Sequence, residues 1–356
     1  MYPRHFAAIF AVLAATSPLV AWDYNGHRMV NQLALQALPA EFPAFVREPA
    51  NAERVLFLSG EGDRWRNVPD LIMKQSGGSW TDHFCDLEQL SEVGIDPSKV
   101  SSFRYDFIVQ FANARVAHAD KLPKIDPAKN ADHTREWPGF APWMIAEHFA
   151  RLRSAFAYLK VFEELGTPEE IANAKANAVY IMGVMGHYVG DCAQPLHSTV
   201  HHNGWVGANP KGYATEGGIH SWIDGGFIAK AGIKLDEISA QVKPAQPIGL
   251  APRADGREPL FVAVMDFLIA SQQTVEPLYA MDKAEKFRVK PGVKPSVEGR
   301  EFIKTRLLIG GEMLASIWVT AWRAAPPDTF LRSQLIRRQE EAKGAGAGAG
   351  AGVGRP

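Results

Sequence analysis

Two pairs of histidine and aspartate share a spacing that suits a metal site. His187 and Asp191 are four residues apart, and His220 and Asp224 repeat that interval. On a helix, side chains four residues apart project from the same face, one turn from each other. A third histidine, His197, lies between the two pairs. One such pair is usually a solvated polar contact, but two pairs with an intervening histidine are harder to explain in that way.

The residues near His187 are apolar, so its side chain needs partners within the fold. Its neighbours include Met182, Val184, Met185 and Val189, and burying a polar group without a partner is costly. Neutral imidazole and carboxylate groups are ligands that zinc accepts, and a set without thiolates fits a catalytic site better than a structural one. The pattern therefore predicts a catalytic zinc site.

Helices are the elements expected to position these groups. Thr167-Pro168-Glu169-Glu170 supplies an N-cap, a proline at the first helical position and two acids in the first turn. The helix that begins there should run to about Ala193, because Pro195 cannot continue it. Apolar spacing and end signals predict three more helices, at Ala141–Gly166, Pro259–Gln273 and Ser296–Ala324.

Strand patterns are scarce, so we expect an all-α fold that forms a single large helical domain over residues 22–340. Long loops rich in proline, glycine and charged residues are expected at 121–142, 201–218, 243–258 and 283–295.

The two ends of the chain are expected to lie outside this domain. Met1–Ala21 has a basic start, an apolar run and small residues before a cleavage site, which predicts a secretory signal peptide and a mature chain that begins at Trp22. A buried N-terminal helix is the alternative. The protein is then expected to be secreted or periplasmic, with no membrane anchor. Residues 341–356 are mostly glycine and alanine and are expected to be disordered.

Composition limits the ways in which the protein can bind a partner. The chain has 356 residues, an apolar fraction of 46% and a formal net charge of -1. The balanced charge excludes a broad basic surface that binds duplex DNA through its phosphates. Any binding of a polyanion must therefore depend on a local source of positive charge. The two cysteines, Cys85 and Cys192, would either pair in an oxidising compartment or remain free buried thiols.

One segment carries a resemblance to a known family. Residues 185–197 read MGHYVGDCAQPLH, and they closely resemble the helix-end motif of the zinc-dependent single-strand-specific nucleases and 3′-nucleotidases, which are related in fold to the zinc phospholipases C. The segment from Trp22 to His27 is similar to that family's opening Trp-x-x-x-Gly-His. The interval from His197 to His220 and the pair of His220 with Asp224 also agree with its pattern.

The resemblance implies a helical domain of the phospholipase C and zinc nuclease type with three zinc ions in one cleft. Their ligands would come from several parts of the chain. They are Asp63, His83, His187 and Asp191 for the first ion, Trp22 (free α-amino nitrogen and carbonyl oxygen), His27 and Asp191 for the second, and His197, His220 and Asp224 for the third. Asp191 would then bridge two of the ions.

The resemblance also implies roles beside the metals. Asp63 and Arg66 are similar to the family's Asp-x-x-Arg element, in which Asp63 would orient the attacking water and Arg66 would hold a phosphate oxygen. The gap from Asp63 to His83 is longer than in fungal members, so Asp70 is the alternative ligand. Phe84 follows a ligand, where the family places an aromatic ring that stacks on a base. A solvated Arg66 and a core Phe84 are the alternatives.

These features predict a zinc phosphodiesterase that acts on single-stranded DNA or RNA and on 3′-nucleotides. Water activated by the metals, with Asp191 between two of them, would release products that carry 5′-phosphates. The substrate is the only partner expected. The alternatives are a zinc phospholipase C acting on phospholipid headgroups and a zinc-binding protein without catalytic activity.

Overall fold

The computed structural model of the chain describes residues 22–75 and 80–350. Its α-helices are α1 (Tyr24–Ala37), α2 (Pro49–Leu58), α3 (Glu61–Arg66), α4 (Leu71–Gln75), α5 (Leu87–Glu92), α6 (Arg104–Ala117), α7 (Ala141–Leu165), α8 (Pro168–Ala193), α9 (Ile219–Ser221), α10 (Phe227–Ala231), α11 (Asp236–Ser239), α12 (Pro259–Gln272), α13 (Val275–Lys283), α14 (Val297–Arg323) and α15 (Thr329–Gly350). A π-helical turn, Trp222–Gly226, joins α9 to α10. These ranges contain no β-strand, which confirms the all-α prediction.

Local end signals place the long helices where the sequence predicted them. At the start of α8, the Thr167 hydroxyl accepts from the backbone N–H of Glu170 at 3.3 Å, and the Glu170 carboxylate accepts from the backbone N–H of Thr167 at 2.8 Å. This reciprocal arrangement is a capping box. Helix α7 ends at Leu165 beside Gly166, and α12 and α14 end within one residue of their predicted limits.

Helix α8 lies at the centre of the packing, against α7, α14, α2 and α1. Glycines let the neighbouring helices approach it closely. A Cβ atom at Gly186 would overlap the side chain of Asn31 on α1, and one at Gly190 would lie 2.9 Å from Nδ1 of His27. The close approach of α1 brings His27 beside the last turns of α8.

The buried apolar side chains form one cluster that extends from Trp22 to Ala325. A single core over this length agrees with the prediction of one large domain. None of the described helices combines the length and the apolar character needed to cross a lipid bilayer.

The C-terminal segment differs from the prediction. Helix α15 extends to Gly350, whereas residues 341–356 were expected to be disordered. Arg338 donates to both carboxylate oxygens of Glu170, at 2.7 and 2.9 Å, which attaches α15 to the start of α8. Alanine has the highest helix propensity, so the alternating segment can continue this anchored helix. Residues 351–356 and the predicted signal peptide, residues 1–21, lie outside the described residues.

We expect the Thr167→Ala variant to lower the free energy of unfolding by about 1 kcal/mol, because it removes the N-cap acceptor of α8. Urea denaturation followed by circular dichroism measures this. Thr305→Ala, at an exposed position inside α14, is the control and should be neutral or slightly stabilising. Equal losses in the two variants would contradict the capping role.

Candidate metal centre

The end of α8 supplies the centre of the site. His187 and Asp191 lie on its last two turns, and both are fully buried. The helix stops at Ala193, and the 3-10 turn Pro195–His197 then folds back so that His197 is buried beside them. The four-residue spacing places His187 and Asp191 on one face of α8. Pro195 ends the helix, and the turn that follows brings His197 to the same site.

Asp191 faces four histidines. Its Oδ2 atom lies 3.1 Å from Nδ1 of His83 and 3.5 Å from Nε2 of His187. Its Oδ1 atom lies 3.5 Å from Nε2 of His27 and 3.9 Å from Nδ1 of His197. Each carboxylate oxygen therefore faces a different pair of imidazoles, as a bridging ligand requires.

Three other elements bring ligands to Asp191. His27 comes from α1, and its ring stacks on that of His187 with centroids 4.0 Å apart. Asp63 comes from the short helix α3, and its Oδ1 atom lies 3.9 Å from Nε2 of His187. His83 follows the 3-10 turn Trp80–Asp82, and its Nδ1 atom lies 3.0 Å from Nε2 of His187.

His197, His220 and Asp224 form another group beside these residues. The Nε2 atoms of His197 and His220 lie 3.0 Å apart, and Nε2 of His220 lies 3.1 Å from Oδ2 of Asp224. Asp224 sits in the π-helical turn that follows α9. π-helical turns are rare in proteins, and those that do occur are often found at functional sites.

Backbone carbonyls fix the orientation of two of the imidazoles. Nδ1 of His187 donates to the Ser59 carbonyl at 2.7 Å, and Nδ1 of His197 donates to the His83 carbonyl at 2.7 Å. A carbonyl oxygen can only accept, so Nδ1 carries the proton and Nε2 keeps its lone pair. Both Nε2 atoms then face the other ligands, as metal-binding histidines commonly do.

Burial controls the protonation of this cluster. It raises the pKa of Asp63 to about 6, against the opposing charge of Arg66. It also raises the pKa of Asp191 well above the usual range, and repulsion from Asp63 adds to that effect. Burial lowers the pKa of His187 and of His197 to about 3, although the carbonyl bonds oppose this. The imidazoles are therefore neutral at physiological pH, which is their metal-binding form.

The residues present fit a set of metal ions. Several buried polar atoms have no hydrogen-bond partner among the described residues: both ring nitrogens of His27, Nε2 of His83 and Oδ1 of Asp191. Leaving each unsatisfied costs about 1–3 kcal/mol, and a cation at the centre would remove that cost. The donor set of nitrogen and oxygen without thiolate suits catalytic zinc.

Three groups of side chains in the described ranges can each hold a metal ion, with their ligand atoms within 4.8 Å of one another. The groups are His27 with His187 and Asp191, Asp63 with His83 and His187, and His197 with His220 and Asp224. Every predicted histidine and aspartate ligand belongs to one of them. Asp70 does not, because it is exposed and accepts from the backbone N–H of Ile72 near the start of α4.

The remaining predicted residues also lie near this centre. The indole of Trp22 is fully buried and donates to the Gly190 carbonyl at 2.8 Å, one residue before Asp191. Arg66 is buried and forms an ion pair with Asp63, with Nη2 2.7 Å from Oδ1, so it is not the solvated arginine of the alternative. Phe84 is partly exposed, next to the ligand His83.

Two residues at the site were not singled out from the sequence. The guanidinium of Arg66 lies 5.3 Å from the ring centre of Trp80, a cation–π contact. Gln194 is fully buried and donates to Asp224. In the sequence, the available signal for Gln194 was its position between the predicted ligands Asp191 and His197.

The cysteines are separate buried thiols in this structure. Burial raises the pKa of the Cys85 thiol and of the Cys192 thiol well above the ordinary value. Thiols of this kind are unreactive and bind no metal while protonated.

Comparisons with known proteins give little information on this chain. No family model matches the sequence, and no curated protein matches it. Among solved structures, it is similar to Clostridium perfringens alpha-toxin isolated from an avian strain, with a TM-score of 0.38 and 13% sequence identity. The match covers 86% of this chain and 64% of the toxin chain. No functional conclusion follows from a similarity of this size, and membership of the nuclease family stays a prediction.

We expect Asp63→Asn to lower the amount of zinc bound per chain, because Asp63 supplies a carboxylate to the cluster. Asp70→Asn should bind as much zinc as the unchanged protein. Elemental analysis after equilibration with a small excess of zinc and desalting gives both values. A loss in Asp70→Asn together with full zinc in Asp63→Asn would make Asp70 the ligand.

Proposed function

We propose that this protein is a zinc-dependent phosphodiesterase that hydrolyses single-stranded nucleic acid and 3′-nucleotides. The observation that carries the proposal is the arrangement around Asp191, where one buried carboxylate faces imidazoles from four separate parts of the chain. Centres with several zinc ions and a shared carboxylate are suited to in-line displacement at phosphorus. The three groups of nitrogen and oxygen donors, two of which share His187, support a centre with several ions.

The ligands in this proposal are those that the resemblance implied. Asp63, His83, His187 and Asp191 would hold one zinc ion, His27 and Asp191 would hold another with the amine of Trp22, and His197, His220 and Asp224 would hold the third. Zinc ions bound there would polarise the phosphate oxygens and make water a nucleophile at neutral pH.

Protein groups would orient the reactants. Asp63 is the most exposed of the side chains proposed for the first ion, with 12% of its surface accessible, and His220 is the most exposed of those proposed for the third ion, at 10%. We infer that the substrate phosphate approaches from this side. Asp63 would orient the attacking water and receive its proton. Arg66 would hold the Asp63 carboxylate in place and add positive charge beside the phosphate.

Two observations support an unpaired nucleic acid strand as the substrate. Phe84 is partly exposed and follows the proposed ligand His83, and an accessible aromatic ring can stack on any base. The net charge of -1 does not suit the broad phosphate contacts of duplex binding.

A phospholipid substrate is the second candidate. Helix α4 follows α3, which carries Asp63, and it exposes two large apolar side chains, Leu71 at 52% and Ile72 at 72%. Exposed apolar groups beside a phosphodiesterase centre would suit contact with lipid.

Rates on three substrates test the proposal directly. We expect the zinc-loaded protein to cleave single-stranded DNA and 3′-AMP faster than phosphatidylcholine, and to lose all activity when the zinc is chelated. Faster cleavage of phosphatidylcholine would establish the phospholipase alternative. No turnover of any substrate by protein with full zinc would indicate a zinc-binding protein without catalytic activity.

Phe84→Ala should weaken the binding of oligonucleotides by about 1–3 kcal/mol, the usual contribution of a base stacked on an aromatic ring. Hydrolysis of bis(p-nitrophenyl) phosphate, which has no base, should be unchanged. Phe103→Ala, which removes another exposed phenylalanine, at the start of α6, is the control. Equal losses on both substrates in Phe84→Ala would mean that Phe84 has a packing role.

We also propose that the amine of Trp22 becomes a zinc ligand after the signal peptide is removed. Two contacts support this. The Trp22 indole bonds to the Gly190 carbonyl, and the backbone N–H of Asp23 donates to the carbonyl of Asp224 at 3.1 Å. These contacts hold the residues at the start of the mature chain beside Gly190, which precedes Asp191, and beside Asp224. An α-amino group has a pKa of roughly 7.7–8.0, so a nearby metal can displace its proton.

An extra methionine before Trp22 should remove about one zinc ion per chain and lower phosphodiesterase activity by orders of magnitude, because the amine then becomes an amide. The core is untouched, so circular dichroism should be unchanged. A tag after Pro356 is the control and should leave zinc and activity intact. Full zinc and full activity in a protein verified by mass spectrometry to begin Met-Trp22 would disprove this role.

A further inference from the structure

Gln194 connects the end of α8 to the third group of ligands. Its side chain is fully buried, and both of its polar atoms are bonded. The Oε1 atom accepts from the backbone N–H of Leu196 at 2.6 Å, and the Nε2 atom donates to Oδ1 of Asp224 at 2.5 Å. Gln194 and Asp224 are 30 residues apart in the chain, so this is a contact between two elements.

The first of these bonds determines the direction of the second. A backbone N–H can only donate, so the atom of Gln194 that meets Leu196 must be the amide oxygen. The amide nitrogen then faces Asp224 and occupies its Oδ1 atom. The other oxygen, Oδ2, is the one that faces Nε2 of His220 at 3.1 Å.

We propose that Gln194 is a positioning residue for the third zinc site. It orients the Asp224 carboxylate so that Oδ2 is presented to the metal together with the Nε2 atoms of His197 and His220. The inference rests on the proposed function in one respect, since it requires that this group of ligands holds zinc. Partners of this kind, which contact a ligand rather than the metal, typically change metal affinity by about 10–100-fold when they are replaced.

The contact of Gln194 with Leu196 offers a purely structural alternative, because it also caps the turn that follows α8. Two substitutions separate the roles. Gln194→Glu keeps the length of the side chain and an oxygen that can accept from Leu196, but it places an acceptor where Asp224 needs a donor. Gln194→Met keeps approximately the same volume, adds no charge and removes both hydrogen bonds.

A matched control lies outside the metal centre. Gln272, in α12, donates from Nε2 to Oε1 of Glu88 at 3.0 Å. Gln272→Glu therefore makes the same chemical change opposite a different carboxylate and should leave the affinity for every zinc ion unchanged.

The experiment is a titration of the metal-free proteins with zinc against a chelating dye, with circular dichroism as the check of folding. We expect both Gln194 variants to bind the third zinc ion about 10–100-fold more weakly and the other two ions normally. Cobalt substituted at the third site should give an altered visible absorption spectrum in both variants.

Two results would overturn the inference. If Gln194→Glu binds the third zinc ion normally and Gln194→Met does not, Gln194 acts only through Leu196. If both variants bind it normally, Gln194 has no role in this site. Failure of the proposed function is distinguishable. If the third site holds no zinc, the unchanged protein binds no third zinc ion, and if only the phosphodiesterase activity is absent, the unchanged protein binds full zinc without turnover. Gln194→Met keeps the test valid if the charge introduced by Gln194→Glu prevents folding.

Discussion

The Asp191 carboxylate, buried among imidazoles, is the constraint on which the site depends. A carboxylate removed from water is strongly destabilised unless it is protonated, paired or bound to a cation. Its neighbours here are histidines whose own burial lowers their pKa values. These imidazoles are therefore neutral and do not balance the charge of the carboxylate. Ionisation of Asp191 in this position is therefore unfavourable. Bound metal ions would stabilise its charged form, and metal binding would then be coupled to the stability of the fold.

That coupling acts through α8, which belongs to the core and to the site at once. Its apolar side chains pack against α7 and α14, while its last two turns carry His187 and Asp191. Glycines on the same helix let α1 approach closely enough for His27 to reach Asp191. A larger residue at Gly190 would therefore disturb both the packing of α1 on α8 and the position of His27.

The sequence predicted those features that are local in the chain. The end of α7 followed from Gly166, and the start of α8 followed from the capping residues around Thr167. Both were predictable because each signal acts within one turn of the backbone. The His187 and Asp191 pair was predictable for the same reason, since helical geometry alone aligns residues four apart. The segment after residue 340 was less predictable, because alanine favours helix, glycine opposes it, and a tertiary contact of Arg338 anchors the helix.

The sequence by itself determined the helical fold class, the residue types able to bind zinc and their grouping along the chain. Only the tertiary structure decided which of them meet. The packing of α3 against α8 brings Asp63, and not Asp70, close to His83 and His187. The hydrogen bond from Gln194 to Asp224 likewise depends on how α8 and the π-helical turn are placed. Such contacts join distant segments, and no local pattern of propensity or spacing encodes the distance between them.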